Sequence, residues 1–134
     1  MLREMDFVLI EDDEKLRESL ALFFRARGCR VRAFGSADGA RDSVEANPPD
    51  VVICDHWLPG TDGLTFLEWL GGRFPETGRI LMTGHPDSRL FNEVKKAGLD
   101  EFILKPFTVD ELETSIRRLI ADRARRVAGG SQAL

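Results

Sequence analysis

Short apolar runs alternate along this chain with longer stretches in which apolar residues return every three or four positions. The runs at residues 7–10, 29–34, 51–54, 79–82 and 101–104 read as strands. Between the first two, Leu16, Leu20, Phe23 and Phe24 fall on one helical face, with Gly28 beyond as a C-terminal stop. Ser36 opens a helix carrying Ala37, Ala40 and Val44, and Asn47-Pro48-Pro49 halts it. Leu64, Leu67 and Leu70 mark a third helix, expected to end at Gly71-Gly72, and Leu90, Val94 and Ala97 a fourth, with Gly98 after it. Thr108 and Glu111 form a capping box ahead of Leu112, Ile116, Leu119 and Ile120. From about Arg123 the apolar stripe lapses and the chain closes on AGGSQAL, so residues 122–134 are expected to fray or to begin a linker. Strand and helix alternating five times predict parallel strands covered by helices on both faces. Continuously apolar strands suit that double cover. The expected fold is a single doubly wound α/β domain.

Composition narrows the function classes. A length of 134 residues suits one core, and 43% hydrophobic with 31% charged residues is ordinary for a soluble domain. No apolar run approaches the roughly 20 residues of a membrane span. The opening MLREMDFVLI is too short and too acidic for a signal peptide, and a cytoplasmic setting is expected. A net charge of −4 gives no support to direct nucleic-acid binding. Cys29 and Cys54 have no metal-ligand spacing and read as buried, unreactive thiols rather than a disulfide.

Candidate chemistry sits where the strands end. In VVICDHWLPGTDGL, residues 51–64, a buried strand runs straight into Asp55, and a charge there is costly unless solvated, paired or metal-bound. The first strand ends in Glu11, Asp12 and Asp13, the fourth in Thr83, the fifth in Lys105. Ligands of open parallel sheets bind outside the carboxyl ends of the strands. Carboxylates converging there from two strands need a cation, and an oxygen-only donor set favours a hard ion such as Mg²⁺. An ammonium and a hydroxyl beside them suit an anionic group in transfer, for which phosphoryl is the natural choice.

The segments VLIEDDEKLRESL, VVICDHWLPGTDGL, ILMTGHPD and KKAGLDEFILKPF, with the helix that follows, resemble the receiver domain of bacterial two-component response regulators over residues 6 to about 121. The resemblance implies a receiver domain at residues 1–121 with a flavodoxin-like (βα)5 fold and strand order 2-1-3-4-5. It implies that Asp55 accepts a phosphoryl group from a phosphohistidine of a sensor kinase or phosphotransfer protein, as in a phosphorelay. Glu11 and Asp12 become the acidic pair, because Leu16 and Arg17 then align with the family; Asp12 ligates Mg²⁺ directly, Glu11 through water, and the Trp57 backbone carbonyl completes the set. Lys105, before a cis Pro106, and Thr83 contact phosphoryl oxygens. Phe102 is the switch aromatic, and the signal appears on the fourth helix, fifth strand and fifth helix. Such a domain is not an enzyme beyond its own phosphorylation and slow dephosphorylation. Its effector or fused output domain is left open, and a phosphorylation-dependent homodimer is compatible with it.

Three positions depart from the common pattern. Trp57 is bulky where it either shields an acyl phosphate or covers the rim, His85 stands two residues after Thr83, and His56 is expected to point away from Asp55. Other readings fare worse. A dehalogenase-type phosphatase places an acid two residues after its nucleophile, where this chain has Trp57, and EDDEKLRE lacks the glycines of a nucleotide-binding turn. The alternative within the family is a receiver-like interaction or dimerisation module that no longer takes phosphate. The arginines at 117, 118, 123, 125 and 126 give the last helix a basic end, either a solvated face or the start of a linker.

Overall fold

The computed structural model describes residues 2–133, with side chains described through residue 127. Met1 and Leu134, the outer ends of the two segments expected from the sequence, lie outside the described residues. Elements follow in strict alternation: β1 (Asp6–Ile10), α1 (Glu14–Ala26), β2 (Arg30–Phe34), α2 (Ala37–Ala46), β3 (Val51–Asp55), α3 (Gly63–Arg73), β4 (Gly78–Thr83), α4 (Ser88–Ala97), β5 (Glu101–Leu104) and α5 (Val109–Ala133). All strand pairings are parallel, in the order β2-β1-β3-β4-β5.

Alternation along each strand divides the core in two. Phe7, Leu9, Val51, Ile53, Ile80 and Met82 face α1 and α5, where they meet Leu20, Phe24, Leu112 and Ile116. Val8, Ile10, Val52, Cys54 and Leu81 face α2, α3 and α4. Cys29 lies in the first cluster and Cys54 in the second, so the sheet separates two thiols that are both free and buried. Burial pushes both thiols up, Cys54 well above its ordinary value, which keeps them protonated and inert.

Helix starts are capped by short acids and a serine. Asp13, Ser36, Asp62 and Asp87 each accept hydrogen bonds from the first-turn amides of the helix they precede. One helix end differs from the sequence expectation: Gly71-Gly72 does not stop α3, which continues to Arg73. Past Arg123 the backbone is helical to Ala133, and Arg123 and Arg126 both pair with Asp100. Among the described residues, no helix is long and apolar enough to cross a membrane.

Candidate functional site

In-register parallel pairing sets Ile10 beside Cys54 and Asp55 beside Met82, so the residues that follow these strand ends are forced together. Glu11, Asp12 and Asp55 each offer a carboxylate oxygen within 4.8 Å of the others. Glu11 is 1% exposed and Asp55 5%, whereas Asp12 is open to solvent. Asp13, the third acid of the run, is spent elsewhere: its carboxylate accepts from the Lys15 and Leu16 amides at 3.0 and 3.2 Å and caps α1. Its own amide donates to Glu11 Oε2 at 3.1 Å, and Arg17 Nη1 donates to the Glu11 carbonyl at 2.7 Å, so both sides of the turn hold Glu11.

Buried carboxylates this close repel one another and lose hydration, which an uncompensated site could not sustain. Lys105 supplies the compensation. It follows β5, precedes a cis peptide to Pro106, pairs with Glu11 and lies 3.3 Å from Asp55 Oδ1. Burial pushes the Asp55 carboxyl up; Lys105 pulls it down through charge and hydrogen bonding, and Asp12 adds an upward push, leaving it above its ordinary 3.8. Burial likewise raises Glu11 against the hydrogen bonds from Lys105 and Asp13. For Lys105 burial acts downward, but Glu11 and Asp55 more than reverse it, so the ammonium holds its proton more tightly than usual.

The remaining predicted residues ring this centre or stand apart from it. Thr83 is fully buried one position past Met82, the register partner of Asp55. Its hydroxyl accepts from the His85 amide at 3.1 Å and its carbonyl from the Lys105 amide at 2.8 Å, which ties the ends of β4 and β5. Trp57 is 62% exposed at the rim and meets the His85 ring edge-on, centroids 5.2 Å apart. The His56 ring turns to the start of α3, where Nδ1 accepts from the Leu64 amide at 3.4 Å. Phe102 is outside the pocket: half-buried on β5, it packs edge-on against Phe91 of α4, centroids 5.3 Å apart.

Two neighbours of the site escaped sequence reading. Gly63 presses so closely on β3 that a Cβ there would stand 2.1 Å from the Asp55 carbonyl oxygen. Asp38 of α2 accepts from the Thr61 hydroxyl at 2.9 Å. For Gly63, its place directly after the cap Asp62 was a readable signal; for Asp38 and for Phe91 there was none, since each meets a partner distant in sequence.

Comparison with known proteins agrees with this geometry. Residues 7–117 match the family described as "Response regulator receiver domain". The hydrogenase transcriptional regulatory protein HoxA of Cupriavidus necator is 34% identical over 114 residues, 84% of this chain and 24% of that protein. The C4-dicarboxylate transport transcriptional regulatory protein DctD of Rhizobium meliloti is 34% identical over 126 residues, 94% of this chain and 27% of its own length. The chain thus spans about a quarter of these curated relatives. A CheY-like receiver domain protein from Methanospirillum hungatei shares the fold, with a TM-score of 0.84 at 22% identity over 91% of this chain and 98% of that one.

Proposed function

This chain belongs to the response regulator receiver domain family, a module of phosphorylation-activated two-component signalling, and from that premise we propose that Asp55 is its phosphoacceptor. One observation carries the reading: a buried carboxylate at the end of β3 has an ammonium 3.3 Å away and two further acids within 4.8 Å. An oxygen of Asp55 attacks phosphorus, the P–N bond to the donor imidazole breaks with its electron pair leaving on nitrogen, and an acyl phosphate remains. The donor is a phosphohistidine on a sensor kinase or phosphotransfer protein. Attack needs Asp55 ionised, and Lys105 supports that state against burial.

Receiver domains hold Mg²⁺ in an acidic pocket, and the cluster of Glu11, Asp12 and Asp55 has the all-oxygen donor set of a hard divalent ion. In this reading Asp12 and Asp55 ligate it directly, Glu11 acts through water, and the Trp57 carbonyl completes the protein's share. When bound, the ion offsets negative charge on the transferring group. Lys105 shifts its ammonium from Glu11 to a phosphoryl oxygen. Thr83 already accepts a hydrogen bond from the His85 amide, so its own proton is free to donate to a second phosphoryl oxygen. The β4–α4 turn follows Thr83 inward, Phe102 leaves Phe91 and turns into the space beneath, and the surface of α4, β5 and α5 changes shape.

The output is proposed from the relatives, which are transcriptional regulatory proteins about three and a half times this length. Residues 122–133 continue α5 as the start of a helical linker to such an output domain, and the receiver itself makes no nucleic-acid contact. Phosphorylation-dependent pairing of two copies and a cytoplasmic setting complete the proposal. Acetyl phosphate with Mg²⁺ is expected to add one acid-labile phosphoryl group, lost in Asp55→Asn and after chelation of the metal. Full labelling of that variant would move the acceptor elsewhere.

A further inference from the structure

The turn between β3 and α3 carries Trp57 along the pocket rim, yet few bonds hold it. Its ends are fixed by the His56 amide donating to the Met82 carbonyl at 2.9 Å and the Gly63 amide donating to the His56 carbonyl at 3.0 Å. Between them Leu58 packs against the α2–α4 face of the core. Among the described residues, one hydrogen bond joins residues 57–61 to another element: Thr61 Oγ1 donating to Asp38 Oδ1 at 2.9 Å.

Asp38 is well placed as a fixed post. It lies in the first turn of α2, where negative charge suits the positive end of the helix dipole. Ala37 and Ala40 flank it and are fully buried, so its backbone cannot drift. The same carboxylate also fits against Gly60. A Cβ there would stand 2.6 Å from Asp38 Oδ2, and Gly60 adopts φ +75°, a left-handed backbone that glycine takes without strain. Thr61 thus binds one oxygen of the acid, and the bare glycine before it leaves room for the other.

We propose that Asp38 is a positioning residue for the phosphoacceptor pocket: by holding Thr61, with Gly60 leaving it room, it fixes the turn from which Trp57 presents its backbone carbonyl, and so strengthens Mg²⁺ binding without touching the ion. The inference rests on the reading of Trp57 as part of the metal set. It differs from a general charge effect in one respect, because the amide of an asparagine still accepts from Thr61 whereas a valine at 61 leaves the charge intact and removes the donor.

The test is a calorimetric Mg²⁺ titration of the full chain, wild type beside Asp38→Ala, Asp38→Asn, Thr61→Val and the Ala/Val double variant, with amide exchange of residues 57–61 measured in metal-free protein. Loss of the tether is expected to weaken Mg²⁺ binding about two- to tenfold in Asp38→Ala and in Thr61→Val, with no further loss in the double variant. Asp38→Asn should stay within about twofold of wild type, and exchange at residues 57–61 should quicken wherever Mg²⁺ binding weakens. Wild-type affinity in both Asp38→Ala and Thr61→Val overturns the proposal. So does a loss shared by Asp38→Ala and Asp38→Asn but absent from Thr61→Val, which would assign the effect to charge. If wild type itself takes up no Mg²⁺, the functional reading above fails instead, and unchanged exchange at residues 57–61 still sinks the tether independently.

Discussion

Glu11, Asp12 and Asp13 are adjacent and chemically alike, yet each is bound to different work by its surroundings. Asp13 spends its carboxylate on α1 amides, Glu11 is buried against Lys105, and Asp12 is left facing solvent beside both. Asp55 is constrained from behind as well as in front. Because a Cβ at position 63 would overlap the Asp55 carbonyl at 2.1 Å, and backbone cannot swing aside, Gly63→Ala is expected to destabilise the domain. The loss should be about 3 kcal/mol, the upper part of the range for overpacking, read from urea unfolding, and a variant within about 0.5 kcal/mol of wild type would refute the close approach. Acids at the ends of apolar strands were legible from sequence because adjacency along the chain is enough to see them. The Phe91–Phe102 pair was not, since an aromatic on a helix face carries no mark of which strand residue it will meet.

Elements are joined at the far end of the sheet by a second charged centre. Asp100, just before β5, accepts from the Arg79 amide at 2.8 Å and from the side chains of Arg123 and Arg126. Arg123 also donates to the carbonyls of Pro75, Glu76 and Thr77, so the α3–β4 turn, β5 and α5 meet on one guanidinium. Burial pushes the Asp100 carboxyl up, but hydrogen bonds from Arg123 and the Arg79 amide outweigh it and leave the group below its ordinary 3.8. A depressed carboxylate contributes stability that is fully present above that ordinary value and lost as pH falls through the lower folded one. Asp100→Asn should therefore be less stable than wild type at pH 7, with the gap in unfolding free energy narrowing as pH falls below 3.8. A gap that stays constant with pH would show that the charge contributes nothing. The same centre explains why helix ends were the least readable part of the fold. Gly71 looked like a stop, but a Cβ there would stand 2.4 Å from the Arg79 guanidinium, which donates to the Leu67 carbonyl; the glycine makes room inside a continuing helix. The apolar stripe lapses at Arg123 because ion pairing replaces apolar packing there.

At the scale of the whole molecule the strand order makes the site. Placing β1 and β3 side by side with β4 and β5 beyond gathers Glu11, Asp12, Asp55 and Lys105 at one edge of the sheet, with Thr83 at the end of β4 tied to Lys105 through its backbone. That much could be foreseen, since alternating strands and helices admit few parallel topologies and the strand ends then converge of necessity. What surrounds the site depends on loop packing that no period encodes: the Asp38–Thr61 and Trp57–His85 contacts each join residues from different loops and elements. The central claim is that phosphoryl lands on Asp55 and nowhere else. Its most direct measurement is mass spectrometry of peptides after acetyl phosphate and Mg²⁺ treatment followed by borohydride, which reduces an acyl phosphate of aspartate to homoserine. The account predicts homoserine at position 55 alone, and only with Mg²⁺ present. Homoserine at position 12 or 13, or at position 55 in the absence of any divalent ion, would contradict it.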